Sequence, residues 1–298
     1  MSRCEDSGAV GRTIRPEPTD GPVNPAVKRG IVSRHELFER LADAGRVVHL
    51  SAPAGSGKTV LLHSWLSDAG LVESAAWVAV GAELRDPQRF WIAVADGLRG
   101  TAAGSKLVKA LTPAPDLDGW AIVERLLADL GELDERIWLV LDDLHELRSN
   151  EVLRQLELLL MRAPSSLRFV LATRHDLRLG LHRLRLEGEL TDIRAADLRF
   201  TPAGSRALFE AAGVTVPESA LEMLLERTEG WAAGLRLAAL SLRGHADPDR
   251  FATEFSGTER TVAEYLLAEV LERQTEEADG CCCEPRSWSG STAPSPIS

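Results

Sequence analysis

Several chemistries are missing from this 298-residue chain. It contains no His-Glu-x-x-His and no Gly-x-Ser-x-Gly, and its seven histidines are scattered, so zinc-hydrolase and serine-hydrolase mechanisms lack their residues. Cysteine is scarce. Cys4 stands alone and Cys281, Cys282 and Cys283 are adjacent, which is neither a disulfide framework nor the paired Cys-x-x-Cys spacing of a zinc site. No apolar run approaches the roughly 20 residues that cross a bilayer, and the N-terminus lacks a signal-peptide core. A cytoplasmic location without a membrane partner is the expectation. Basic charge is not in excess either, the formal net charge being -11. A free-standing nucleic-acid-binding domain carries a basic stripe, because phosphate neutralisation supplies most of its affinity. The one dense basic stretch, Arg174 to Arg185 (RHDLRLGLHRLR), is short and interrupted and reads as a solvated loop or helix face.

What is present is globular. Hydrophobic residues make up 44% and charged residues 27%, so the chain can bury a core, and its length allows about two domains. Residues 1–27 are rich in Pro, Gly, Asp and Ser and read as a flexible leader. A helix pattern starts at Ser33, and Val47 to Ser51 is a short strand running into a glycine-rich loop. From Thr59 the apolar residues keep helical spacing. Strand candidates at 76–80, 137–141 and 167–172 then alternate with helix candidates at 87–98, 120–130 and 151–162. Apolar strands alternating with helices predict an α/β fold, a parallel sheet flanked by helices on both faces. After about Thr191 the strand signal fades. Thr201-Pro202 is a helix start with a hydroxyl N-cap and proline at the first helical position. Helices beginning at Pro217, Trp231 and Glu264 complete a small all-helical unit. The expected division is residues 28–190 for the sheet domain, 191–275 for the helical domain and 276–298 for a tail. That tail has no periodicity. Thirty arginines against four lysines suggest a GC-rich coding sequence, which out of frame yields Cys, Pro, Arg, Ser and Gly. A frameshift near residue 276 is one reading and a natural disordered tail the other.

The central motif is Ala52-Pro53-Ala54-Gly55-Ser56-Gly57-Lys58-Thr59, a phosphate loop with alanine in place of its first glycine. Gly55 and Gly57 let the backbone curl so that successive N–H groups wrap phosphate oxygens. The helix that follows offers its unpaired N–H groups and positive dipole end to the same anion. Lys58 reaches the outer phosphates and the Thr59 hydroxyl is placed for Mg²⁺. Ala52 to Thr59 together with Val60 form the expected nucleotide-contacting segment. No third glycine follows Gly57 at the spacing of a dinucleotide fingerprint. In Ile137-Trp138-Leu139-Val140-Leu141-Asp142-Asp143, Asp142 ends a buried strand at the ligand edge of a parallel sheet and is the second Mg²⁺ candidate. Asp143 is the candidate for polarising the attacking water. Arg174, at the end of the next strand, either meets the γ-phosphate or is a solvated strand-end arginine. Trp231, at helix spacing among small residues, reads as core packing.

The segments APAGSGKTVLLHSWL, WVAV, LVLDDLHEL, LATR, LRFTPAGSRALF, TEGWAAGLRLAALSL and YLLAEVLERQ occur in this order over about residues 29–275. Together they resemble the signal-transduction ATPases with numerous domains, more narrowly the N-terminal P-loop ATPase region of large LuxR-type, MalT-like transcriptional regulators. Gly204 departs from that pattern, standing where an acidic residue is common. The resemblance implies a nucleotide, ATP or ADP with Mg²⁺, held between the sheet domain and a helical lid. It places Ile31-Val32-Ser33-Arg34 near the adenine, Val32 and Arg34 included, and makes Arg174 the sensor residue. It also implies self-association when ATP is bound. Members of the family continue into a winged-helix region, an inducer-sensing repeat domain and a helix-turn-helix. This chain is expected to stop short of them and so not to bind DNA alone. The leading expectation is a regulatory ATPase switch with weak hydrolysis. A catalytic P-loop enzyme, kinase-like or motor-type, and a non-functional fragment are the alternatives.

Overall fold

A computed structural model describes residues 32–255, except 110, 112–117, 244 and 246. The leader, Ile31, the helix expected at 264–274 and the tail lie outside the described residues. In chain order the elements are α1 (His35–Ala42), β1 (Val47–Ser51), α2 (Lys58–Asp68), β2 (Ala75–Ala79), α3 (Pro87–Arg99), α4 (Gly104–Leu107), α5 (Gly119–Asp129), β3 (Ile137–Asp142), α6 (Asn150–Arg162), β4 (Leu167–Thr173), α7 (His182–Leu186), β5 (Leu190–Arg194), α8 (Ala195–Leu198), α9 (Pro202–Ala211), α10 (Glu218–Thr228), α11 (Ala232–Leu242) and α12 (Pro248–Glu254).

The five strands form one parallel sheet in the order β2-β3-β4-β1-β5. All six residues of β3 are buried, as expected for a strand covered on both faces. Alternate residues feed two separate cores. Leu139, Leu141, Phe169 and Leu171 face one side, against Trp91 of α3, Ile122 of α5 and Leu156 of α6. Val48, Leu50, Trp138, Val140, Val170 and Ala172 face the other, against Leu41 of α1 and Leu62 and Trp65 of α2. This two-sided burial is the α/β architecture that the alternation of segments predicts. A buried polar pair adds to the packing: Trp91 Nε1 donates to Gln155 Oε1 at 2.6 Å, tying α3 to α6.

Two differences from the sequence reading have plain causes. The sheet does not end near Thr191, because β5 pairs with β1 from Val47↔Leu190 to Ser51↔Arg194. Of its five residues only Ile193 is buried, so it is an edge strand lacking the apolar run of a central one. Arg185 and Arg194 both pair with Asp192, whose carboxylate also accepts from Nδ1 of the buried His49 ring at 2.9 Å. The dense basic stretch contains α7, and its Arg183 and Arg185 are exposed and paired with Glu187 and Asp192.

Beyond β5, α9 to α12 build their own core from Leu208, Phe209, Leu224, Leu235 and Phe251. Thr201 caps α9 by accepting from Gly204 N at 3.2 Å, with Pro202 at the first helical position. This helical unit is joined to the sheet unit through residues 195–200. Phe200 N donates to Gly230 O at 2.9 Å, closing the junction between α10 and α11 onto the connection. Gly230 has φ +71°, and a Cβ there would lie 2.7 Å from Phe200 O. Gly230→Ala should therefore cost about 2 kcal/mol, combining left-handed strain with the clash. Urea unfolding measures this as a lower midpoint at unchanged m. A change below about 0.5 kcal/mol, the scale of an innocuous surface substitution, would refute that picture of the junction.

Candidate nucleotide site

The loop after β1 has the shape its glycines allow. Gly55 and Gly57 have φ of +70° and +84°, while Ala52 is not among the positive-φ residues and is buried, its N–H donating to Thr173 O at 3.2 Å. The alanine at the first motif position therefore fits without strain. Lys58 is buried and its Nζ donates to Ala52 O at 2.7 Å and Pro53 O at 3.1 Å. The ammonium thus lies inside the curl of its own loop, where a bound phosphate would meet it. Val60, next to Thr59, is 51% exposed beside the loop.

The sheet order brings the second motif alongside. β4 lies between β1 and β3, so Asp142, Thr173 and Ser51 end three neighbouring strands at one edge. Thr59 Oγ1 donates to Asp142 Oδ2 at 2.7 Å, and Asp143 N donates to Asp142 Oδ1 at 3.0 Å. Burial raises the Asp142 carboxyl above the ordinary range, against the opposing pull of the Thr59 hydroxyl and, more weakly, Lys58. A buried carboxylate beside a threonine hydroxyl is an all-oxygen donor set of the kind Mg²⁺ prefers, and a cation there would offset the cost of burying the charge. The residues present fit the ion.

Asp143 adopts a left-handed conformation, φ 53°, uncommon for a residue other than glycine. That bend ends β3 and starts a short turn over Leu144–Glu146, which brings His145 back beside Asp143. His145 Nδ1 lies 3.8 Å from Asp143 Oδ1 and Nε2 lies 3.5 Å from Glu146 Oε1, and neither ring nitrogen makes a hydrogen bond. Burial, reinforced by the positive charge of Arg174, lowers its pKa to about 4. Asp143, His145 and Arg174 therefore share one electrostatic neighbourhood at the ends of β3 and β4. His145 was absent from the sequence reading, which stopped at the two aspartates. Its position two residues after Asp143 was visible; its burial was not.

Val32 and Arg34 lie at the junction of the two units, Arg34 against Leu198 and Arg199, which line the cavity beside the loop. Val32 packs against the helical core. The Arg34 guanidinium donates to the carbonyls of Leu198 at 3.1 Å, Arg199 at 3.0 Å and Asp197 at 3.4 Å, and lies 4.4 Å from the Phe200 ring centroid. Arg34 clamps the connection between the units in this structure.

Trp231 corrects the sequence reading. It is half-buried rather than core, and its Nε1 donates to Ala54 O at 3.2 Å, 177 residues away in sequence. Ala233 N donates to Gly55 O at 3.0 Å. The N-terminal end of α11 thus sits on the phosphate loop, and between them lies a cavity of about 330 Å³ lined by Pro53, Ser56, Leu198, Thr228 and Trp231. The described residues include no group of three or more His, Cys, Asp or Glu able to hold a metal and no helix long and apolar enough to cross a membrane.

No family model matches the chain. Among curated proteins it is similar to the serine/threonine-protein kinase PknK of Mycobacterium tuberculosis, 30% identical over 274 residues, covering 89% of this chain and 25% of the relative. It is also similar to the HTH-type transcriptional regulator MalT of Serratia proteamaculans, 28% identical over 265 residues, covering 85% of this chain and 28% of the relative. The chain thus spans about a quarter of the length of these relatives. Among solved structures, the Walker-type ATPase PABY2304 of Pyrococcus abyssi superposes with a TM-score of 0.53 at 17% identity, covering 84% of this chain and 77% of that one. That likeness bears on the fold, which is that of P-loop ATPases.

The state of His145 gives a measurable pH dependence. Its pKa falls from an ordinary 6.5 to about 4 on folding, so between those values the unfolded chain binds the extra proton and the folded chain does not. Stability from this group is complete above about 6.5 and is lost as pH falls towards 4. In the ligand-free protein, His145→Asn should flatten the loss of stability between pH 7 and pH 5, read from urea midpoints. Parallel curves for parent and variant would count against a buried neutral imidazole.

Proposed function

We propose that this chain, which is similar to the MalT regulators and has the P-loop ATPase fold, is an ATP-binding regulatory switch module with slow hydrolysis. The observation that carries this reading is the meeting of Lys58, Thr59 and Asp142 around a loop opened by two left-handed glycines. On this reading a triphosphate enters the curl between Ala52 and Lys58, and Lys58 exchanges its two carbonyl partners for phosphate oxygens. The loop amides and the first turn of α2 bind the same anion. Thr59 and Asp142 would hold Mg²⁺, which neutralises charge on the outer phosphate oxygens. The base occupies the cavity beside Trp231 and Pro53, a space beside the loop that both units line.

Asp143 polarises the attacking water. His145, neutral at physiological pH, spaces Asp143 from Arg174 without adding a charge, and Arg174 faces the γ-phosphate. Nucleotide draws the helical unit and the sheet unit together, and loss of the γ-phosphate loosens them. Self-association in the ATP-bound form and a cytoplasmic location belong to the same proposal, as does control of transcription, which the name of the regulator MalT carries.

A thermal or chemical stability titration tests the reading. Mg-ATP or Mg-ADP at ~100 times its dissociation constant should stabilise the parent by about 2.7 kcal/mol. Lys58→Ala should abolish most of that gain, each shift being read against the same protein's own ligand-free midpoint. A parent chain that shows no shift with either nucleotide would sink the assignment.

A further inference from the structure

The phosphate loop is held from two sides. Inside, Lys58 Nζ takes the carbonyls of Ala52 and Pro53. Outside, the next two carbonyls in sequence are taken by the helical unit: Ala54 O by the Trp231 indole N–H and Gly55 O by the Ala233 N–H. A trans peptide is planar, with its C=O and the following N–H on opposite sides. Holding the Ala54 and Gly55 carbonyls towards α11 therefore turns the N–H groups of Gly55 and Ser56 away from it, and the Ser56 N–H donates to Pro53 O at 3.4 Å. That long bond is a weak internal hold on a loop whose Gly55 occupies positive and negative φ with similar ease.

We propose that Trp231 is a positioning residue for the phosphate loop: its indole N–H, together with the first turn of α11, holds the loop in the shape that receives an anion. The proposal rests on the nucleotide reading above and adds to it that affinity for the phosphates, as distinct from the base, is set in part by the helical unit. Three features support it. The two donors act on consecutive carbonyls of the motif. Gly57, the last loop residue before α2, is packed close enough that a Cβ would lie 3.6 Å from that of Ala232. Trp231 is fixed at its own end, because Trp231 N donates to Thr228 O at 2.8 Å and the turn behind it passes through Gly230. The coupling must also be reciprocal: whatever seats α11 on the loop tightens phosphate binding, and phosphate binding seats α11.

The decisive variant is Trp231→Phe in the full chain, which keeps an aromatic ring against Pro53 and removes the donor. Calorimetry with Mg-ADP and with adenosine separates the two roles. The brace predicts Mg-ADP binding about 2- to 10-fold weaker, the range one net hydrogen bond supports, with adenosine binding unchanged. Equal Mg-ADP affinity in parent and variant overturns it. An equal loss for both ligands also overturns it, since the ring would then serve only as packing for the base.

Hydrogen exchange on the ligand-free protein is the second readout and does not depend on nucleotide binding. The amides of Ser56, which donates to Pro53 O, and Ala233, which donates to Gly55 O, should exchange about 2- to 10-fold faster in the variant while those of β3 stay protected; unchanged exchange at both refutes the brace. If the parent binds neither ligand, the nucleotide reading fails and the exchange comparison still decides the brace. Should Trp231→Phe not fold, site-specific replacement by benzothienylalanine, which substitutes sulfur for the indole N–H at nearly the same shape, provides the same comparison.

Discussion

Peptide orientation in residues 52–57 is the constraint on which the rest of the structure depends. On the proposed reading an anion is bound here by backbone dipoles, and a dipole contributes only if it already points the right way when the ligand arrives. The loop is short and contains two glycines, so its own conformational preference is weak. Its shape comes from outside itself. Ala52 is tied to β4 through Thr173, Lys58 reaches back to two carbonyls, and α11 takes the next two. Each hydrogen bond contributes modestly, but all act on one run of peptides whose planes are linked in series.

The same edge of the sheet carries an opposing electrostatic cost. Asp142 is buried at the end of a fully buried strand, and its carboxyl is pushed upward by desolvation. Thr59 relieves part of that cost, and it can do so only because β4 is inserted between β1 and β3 and spaces the helix from the strand end by the length of one hydrogen bond. Beyond it the left-handed Asp143 stores local strain of the sort found at functional positions, and His145 fills the space it creates with a neutral ring. A charged residue in that place would act on Asp143 and Arg174, both of which already act on the His145 ring.

The central strands and the phosphate loop could be read from sequence because each has a local signature. β1, β3 and β4 are continuous apolar runs, and the glycine-lysine-threonine spacing states its own chemistry. β5 could not be read, since Thr191, Asp192 and Arg194 are polar and the strand is specified by pairing with β1 and by the charge network around Asp192. Trp231 was misassigned for a related reason. A tryptophan among alanines on a helix has the pattern of a core residue, and only the tertiary fold reveals that a carbonyl 177 residues away faces its N–H. The carbonyls that Arg34 holds belong to a connection whose path no local pattern encodes.

These two attachments of the helical unit differ in strength, and the difference orders its motions. At the connection, Arg34 satisfies three carbonyls, two of them at 3.1 Å or closer, and stacks on Phe200, while Gly230 and Phe200 close the turn. Hydrogen bonds from a charged guanidinium are roughly twice as strong as neutral ones. At the loop, two neutral donors make the contact, together worth on the order of 1–3 kcal/mol. Rotation of the helical unit about residues 195–200 would therefore break the loop contact while the connection stays intact. On the proposed switch reading, a ligand that prefers the attached arrangement by a few kcal/mol is sufficient to hold the loop contact closed. That reading needs no rearrangement of either core, because each unit keeps its own buried side chains and only their shared boundary at the phosphate loop would change.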